Sequence, residues 1–258
     1  AVRAMGSWWH RVPAPSAVVP LVSPVMPDQG AAGGPRVSIV GGCGHVGLPL
    51  GVMLANAGAD VSLYDVNTAA VDAVNEGRPH FLEDGLPEAL GRALACGRIA
   101  ATTDADAVKA AEIVVVVVGT PIDEHLNPDV GAVTTAIEDL VPSLQDGQLL
   151  VLRSTVFPGV TEYVERQLRG HGLHLDIAFC PERIAEGHAI VELQSLPQII
   201  GTRDEQARRR AGELFSLLTD QLVHTTPEEA ELAKLFTNAW RYIKFAAANQ
   251  FFMIANDF

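Results

Sequence analysis

The sequence predicts an α/β protein, a doubly wound parallel sheet followed by a long helix. Short apolar runs alternate with helical patterns from Arg36 onward, as expected of parallel strands covered on both faces. A glycine-rich turn, Gly42-Cys43-Gly44-His45-Val46-Gly47, joins the first strand to the first helix. Asp65 closes the second strand 23 positions after Gly42, near the ~20 typical of a Rossmann-type dinucleotide site.

Each element follows from its pattern. Val37 to Val40 is the first strand, and Val46 to Ala57 a helix stopped by Gly58. Val61 to Tyr64 is the second strand. Thr68 to Glu76 and Pro87 to Cys96 are helices, and Ile99 to Ala101 is a short strand. Asp104 to Ala111 reads as helix and Ile113 to Val118 as the most apolar strand. Helix Val130 to Leu144, strand Leu149 to Leu152, helix Gly159 to Arg169 and strand Leu175 to Phe179 complete six strands with helical crossovers. A strand at Gln198 to Gly201, a helix from Glu205 to Leu218 and a strand near Leu222 follow. From Pro227 onward one helix runs without a break. Thr226, Pro227, Glu228 and Glu229 form its start signal.

Three domains are expected: a disordered, proline-rich extension over 1–35, a nucleotide-binding domain over 36–222, and the start of a central helix over 223–258. The extension holds six of the 16 prolines, and Pro13, Pro15, Pro20 and Pro24 break its only apolar stretch. Phe251, Phe252 and Ile254 still need cover where the sequence ends, so the last helix reads as cut short.

Composition narrows the function. Of 258 residues, 48% are hydrophobic and 19% charged, which excludes disorder throughout. The net charge of −13 argues against a nucleic-acid partner. Ile113 to Val118 is far short of the ~20 apolar residues of a membrane span, so no membrane partner is expected. Three widely spaced cysteines make neither a disulfide framework nor a metal cluster. No metal is expected, and the reading is cytoplasmic.

In the glycine loop, Gly42 makes the tight turn, Gly44 admits the pyrophosphate and Gly47 lets the helix pack close to the strand. The helix N-terminus offers amides and a positive dipole to the diphosphate. Asp65 accepts hydrogen bonds from ribose hydroxyls and repels a 2′-phosphate, which favours NAD over NADP. Gly119-Thr120-Pro121 follows the fourth strand at the carboxyl edge, where ligands bind. The cofactor set is Gly42, Gly44, His45, Val46, Gly47, Asp65, Thr120, Pro121 and Thr155.

A second polar cluster follows later strands: Arg153-Ser154-Thr155, then Pro181-Glu182-Arg183 with Glu186. Lys234 and Asn238 share a face of the long helix. Singly, each has a plain alternative. Glu182 and Glu186 read equally as solvated loop acids, and Lys234 as a surface lysine paired with Glu231.

Five motifs in order are similar to the UDP-sugar 6-dehydrogenase family, over about Arg36 to Phe258. They are Gly-His-Val-Gly-Leu-Pro-Leu (44–50), Gly-Thr-Pro-Ile-Asp (119–123) with Asn127-Pro128-Asp129, Ser-Thr-Val-Phe-Pro-Gly (154–159), Cys-Pro-Glu-Arg-Ile-Ala-Glu-Gly (180–187) and Lys-Leu-Phe-Thr-Asn-Ala (234–239). The resemblance implies oxidation of a sugar CH₂OH to a carboxylate with reduction of two NAD. It implies that Thr155 orders a water with Glu186, that Glu182 assists thioester hydrolysis, and that Lys234 and Asn238 stabilise an oxyanion. It also implies a UDP-sugar substrate and a homodimer formed through the central helix. Pro-Glu-Arg resembles the N-acetylhexosamine branch, which favours UDP-N-acetylmannosamine or UDP-N-acetylglucosamine; UDP-glucose is the alternative.

The family's nucleophilic cysteine lies beyond the lysine-asparagine helix. Cys43, Cys96 and Cys180 match none of that motif, and Cys180 reads as a buried structural thiol. Rival readings are a 6-phosphogluconate- or hydroxyacyl-type dehydrogenase and a non-catalytic NAD-binding module.

Overall fold

A computed structural model describes residues 33–119 and 131–257. Most of the expected 1–35 extension, and Thr120 and Pro121 with the rest of their motif, lie outside the described residues. Among the described residues, eight strands form one sheet in the order β3-β2-β1-β4-β5-β6-β7-β8. They are β1 (Arg36–Val40), β2 (Asp60–Tyr64), β3 (Ile99–Thr102), β4 (Ile113–Val116), β5 (Leu149–Leu152), β6 (Asp176–Phe179), β7 (Gln198–Gly201) and β8 (Leu222–Thr225). The first six are parallel throughout. The change of direction in strand order falls between β1 and β4, the position at which open α/β sheets bind ligands beyond their carboxyl ends.

Helices cover both faces. One face carries α1 (Gly47–Asn56), α2 (Thr68–Asn75), α3 (Leu86–Ala95), α7 (Ala189–Ser195) and α8 (Glu205–Phe215). The other carries α4 (Asp106–Lys109), α5 (Ala132–Leu140), α6 (Val160–Gly170) and the start of α9 (Pro227–Asn256). Central β4 is buried along its whole length, and each such side chain contributes roughly 1.5–3 kcal/mol. That is why its sequence shows no alternation.

The structure differs from the sequence reading in several places: β4 stops at Val116 rather than Val118, and α8 at Phe215 rather than Leu218. The helix expected over 104–111 is one turn, Asp106–Lys109. Within the helix expected to reach Leu144, Pro142 lacks an amide and crowds the preceding turn, so α5 ends at Leu140 and a 3₁₀ turn, Val141–Ser143, replaces its last residues. Helix α7 was not anticipated. It packs on α1, and the chain then enters β7 antiparallel to β6, pairing Phe179 with Gly201.

Gly201 brings α9 against the sheet. A Cβ there would stand 2.6 Å from Ala230 Cβ and 2.9 Å from Thr226 O. Helix α9 opens with the expected cap: the Thr226 hydroxyl accepts from the Glu229 amide, and the Glu229 carboxylate accepts from the Thr226 amide. Its buried residues are all in the first turns: Pro227, Ala230 and Glu231.

Candidate active site

The first four parallel strands of the crevice, β1, β4, β5 and β6, all end at one edge. Parallel pairing therefore gathers the segments after them: the glycine loop, Val117 to Gly119, Arg153 to Thr155 and Cys180 to Glu186. Ser154 joins two of them, its hydroxyl accepting from the Val118 amide at 2.9 Å and lying 2.8 Å from the Val118 carbonyl.

The glycine loop is tied to β2 by the amides of Gly41 and Gly42, which donate to Tyr64 O at 2.9 and 3.1 Å. The left-handed residue of the turn is Gly41, at φ 74°. Gly42, assigned the tight turn from sequence, instead allows close packing: a Cβ there would lie 2.6 Å from Ile39 O and 2.8 Å from Leu63. Gly47 is also close-packed, but against the loop rather than the strand: an added Cβ would lie 2.5 Å from Gly41 O and 2.8 Å from Gly42 Cα. Around Gly44 the nearest such atom is 3.5 Å away, so this position is open. Helix α1 begins with neither a side-chain cap nor an acidic residue in its first turn, which suits an anion.

Asp65 accepts from the Cys43 amide (Oδ2, 3.0 Å) and from the Asn67 amide (Oδ1, 3.0 Å). His45 is exposed beside the loop and stacks on Phe81, centroids 4.1 Å apart, with His80 edge-on to Phe81. The loop, the uncapped helix and the acid fit a dinucleotide. Val46 occupies the N-cap position of α1 without a side-chain hydrogen bond, and Thr155 lies half-buried just after β5.

The second cluster forms around a buried ion pair. Arg153, 2% exposed, sends Nε to Glu182 Oε2 at 2.8 Å and Nη2 to the same oxygen. Its Nη1 donates to Cys180 O at 3.1 Å and Gln198 Oε1 at 2.9 Å. Glu182 Oε1 accepts from the amides of Arg183 (2.5 Å) and Ile184 (2.7 Å). Glu182 is therefore no solvated loop acid. Its main-chain carbonyl accepts from Lys234 Nζ. Burial holds the Lys234 ammonium below the ordinary lysine range; Glu182 opposes this, while Arg153, Arg241 and Arg183 add to it. Glu186 and Asn238 are exposed.

The surface-pair alternative for Lys234 does not hold. Glu231 is fully buried and serves α6, accepting from the amides of Gly159 (2.7 Å) and Thr161 (2.9 Å) and from the Thr161 hydroxyl (2.6 Å). Sequence reasoning also missed Glu83, whose carboxylate accepts from the amides of Gly187 (2.8 Å) and Ala189 (2.6 Å). No local pattern marks that contact across more than a hundred residues. Arg153, which the sequence places in the second polar cluster without a role of its own, is the residue around which that cluster forms. Cys180 is wholly buried, and burial pushes its thiol up to about 12 despite Arg153, so it is an inert thiol as expected.

Fold and site together define a Rossmann-class dinucleotide-binding domain with a second polar cluster at its carboxyl edge. Residues 35–219 match the model of the UDP-glucose/GDP-mannose dehydrogenase family, NAD binding domain. The chain belongs to that family. It is 29% identical over 229 residues to UDP-N-acetyl-D-mannosamine dehydrogenase of Pyrococcus horikoshii, covering 86% of this chain and 54% of the relative. It is 32% identical over 234 residues to NDP-N-acetyl-D-galactosaminuronic acid dehydrogenase of Ralstonia nicotianae, with the same coverages. Among solved structures, a UDP-glucose dehydrogenase from Pyrobaculum islandicum superposes with a TM-score of 0.79 at 32% identity, covering 86% of this chain and 53% of that one. The chain spans about half the length of the curated relatives it matches. No helix among the described residues is long and apolar enough to cross a membrane.

Proposed function

We propose that the chain supplies the NAD-binding half of an enzyme that oxidises C6 of a UDP-sugar to a carboxylate, with UDP-N-acetylmannosamine or UDP-N-acetylglucosamine as substrate. The observation that carries this reading is the Lys234 ammonium, anchored on Glu182 O at the edge where the glycine loop also opens. Relatives named for N-acetylated sugars support the choice of sugar, as does Pro181-Glu182-Arg183.

In this reading the loop from Gly42 to Gly47 holds the coenzyme diphosphate, with His45 and Val46 alongside, and Asp65 holds the adenosine ribose. Thr155 lies toward the reacting end, and the family resemblance assigns Thr120 and Pro121 to the coenzyme as well. NAD bound there would supply the hydride acceptor, two molecules in turn for the two oxidations at C6. Lys234 and Asn238 donate to the oxygen that gains negative charge, a preorganised electrostatic contribution. Thr155 and Glu186 order the water, and Glu186 takes its proton. A second copy of the chain covers α9, where Trp240, Phe245, Phe251 and Phe252 are exposed, giving a homodimer.

Calorimetry with NAD and NADP on this chain is the first test: NAD binds and NADP binds more weakly. The second is NADH formation with the two N-acetylated UDP-sugars and UDP-glucose, using this chain alone and then joined to the remaining half of a family member. Turnover is expected only in the joined form and fastest with an N-acetylated sugar. Absence of NAD binding overturns the proposal, and preference for UDP-glucose overturns the choice of sugar.

A further inference from the structure

We infer that Arg153 is a positioning residue for Lys234: it locks the Glu182 carboxylate, so that Glu182 offers Lys234 a fixed main-chain carbonyl rather than a free acid. The inference deepens the proposed function and rests on its reading of Lys234 as the group that meets the developing charge.

The geometry leaves Glu182 little freedom. One carboxylate oxygen takes Nε and Nη2 of Arg153, and the other takes two successive main-chain amides. Four donors on two oxygens leave no proper site for an incoming proton or water. Glu182 is also 7% exposed, on the inner side of its loop. The thioester-hydrolysis role that the resemblance implies for Glu182 would require breaking this chelate.

Arg153 is equally constrained. A guanidinium taken out of water is tolerable only when its donors are matched. Here Glu182, the Cys180 carbonyl and Gln198 match them, and the Phe215 ring lies 5.2 Å from the guanidinium carbon. The pair therefore pins the loop at the point where its carbonyl meets Lys234. The charged groups facing Lys234 are Glu182 and Arg153 from this pair, Arg183 from the same loop and Arg241 from α9. Arg241 itself reaches the Arg183 carbonyl at 3.3 Å. Among the described residues no carboxylate is ion-paired with Lys234, since the Glu182 carboxylate is taken by Arg153 and two amides, and the ammonium remains available to a new negative oxygen.

The test reads the pH midpoint of Lys234 by amine acylation and peptide mass spectrometry on this chain, for wild type, Arg153→Gln, Glu182→Gln and the double variant. Arg153→Gln removes a cation and frees the carboxylate, so the Lys234 midpoint rises. Glu182→Gln removes the anion and leaves the cation, so it falls. The double variant removes both and returns near wild type. At a fixed pH below the midpoint, each single variant changes the labelling rate at least about threefold, in opposite directions. A folded Arg153→Gln protein with an unmoved midpoint overturns the inference. If Arg153→Gln does not fold, an unmoved midpoint in Glu182→Gln does so. Failure of the double variant to fold also overturns it, because that variant leaves no unmatched buried charge. NAD calorimetry on the wild type separates the two readings: bound NAD with a flat Lys234 series sinks the clamp alone. An ordered series without NAD binding sinks the coenzyme reading alone.

Discussion

The carboxylate of Asp65, at the end of the second strand, accepts a hydrogen bond from the Cys43 amide in the middle of the glycine loop, 3.0 Å away. Strand and loop are thus joined at the place where a ribose would sit. Asp65→Ala removes the acceptor for two amides and for the ribose. Hydrogen bonds to a charged group contribute roughly 1.5–3 kcal/mol, so NAD affinity should fall by one to two orders of magnitude, with a smaller loss for NADP. Calorimetry reads both; an unchanged NAD affinity would place the ribose elsewhere.

The glycines of the loop should separate into two kinds. Gly47→Ala drives a Cβ to within 2.5 Å of Gly41 O and 2.8 Å of Gly42 Cα, both backbone atoms that cannot yield. This variant should lose several °C in melting temperature and lose NAD binding with it. Gly44→Ala meets nothing closer than 3.5 Å. It should melt like wild type yet bind NAD at least about tenfold more weakly, because the new methyl occupies the space of the pyrophosphate. Thermal melts beside calorimetry decide the matter, and equal behaviour of the two variants would contradict it.

Glu231 is fully buried and accepts three hydrogen bonds at the N-terminus of α6. Glu231→Ala leaves those donors without an acceptor and should cost about 3 kcal/mol, read by urea denaturation. A loss below about 1 kcal/mol would mean that water replaces the carboxylate.

The cysteines should differ sharply. Cys43 and Cys180 are buried and Cys96 is exposed. Burial, with Asp65 adding to it, pushes Cys43 up to about 12, and burial does the same for Cys180. Native alkylation near neutral pH should therefore modify Cys96 alone. The linkage has a definite sign. Both thiols stay protonated in the folded state above pH 9.0, where the unfolded chain ionises. Their stabilisation is complete below that pH and is lost between about 9 and 12 as pH rises. Urea midpoints measured up this range should fall for wild type and fall less for Cys180→Ala. Equal slopes would argue against the raised thiol.

Much of this was legible because the relevant signals are local. The strand-turn-helix and Asp65 lie within thirty residues, so spacing alone located the glycine loop and the acid that accepts from it. The Thr226 cap was equally plain, its partners being three residues apart. What stayed hidden depends on distance in sequence. Gly42 and Gly47 look alike on paper, yet only the approach of β2 shows why Gly42 lacks a Cβ and why Gly41 takes the left-handed turn. Glu231 looked like a partner for Lys234 at helical spacing, but the N-terminus of α6, some seventy residues earlier, claims its carboxylate. The reversal of β7 has no local marker, since it depends on where α7 packs.

Glu83 belongs to the segment between α2 and α3, yet its carboxylate accepts from the amides of Gly187 and Ala189, beside Glu186. One side chain therefore ties the segment between α2 and α3 to the one that leads from β6 into α7. Either segment, if it shifts, must carry the other along or give up two hydrogen bonds to a charged acceptor.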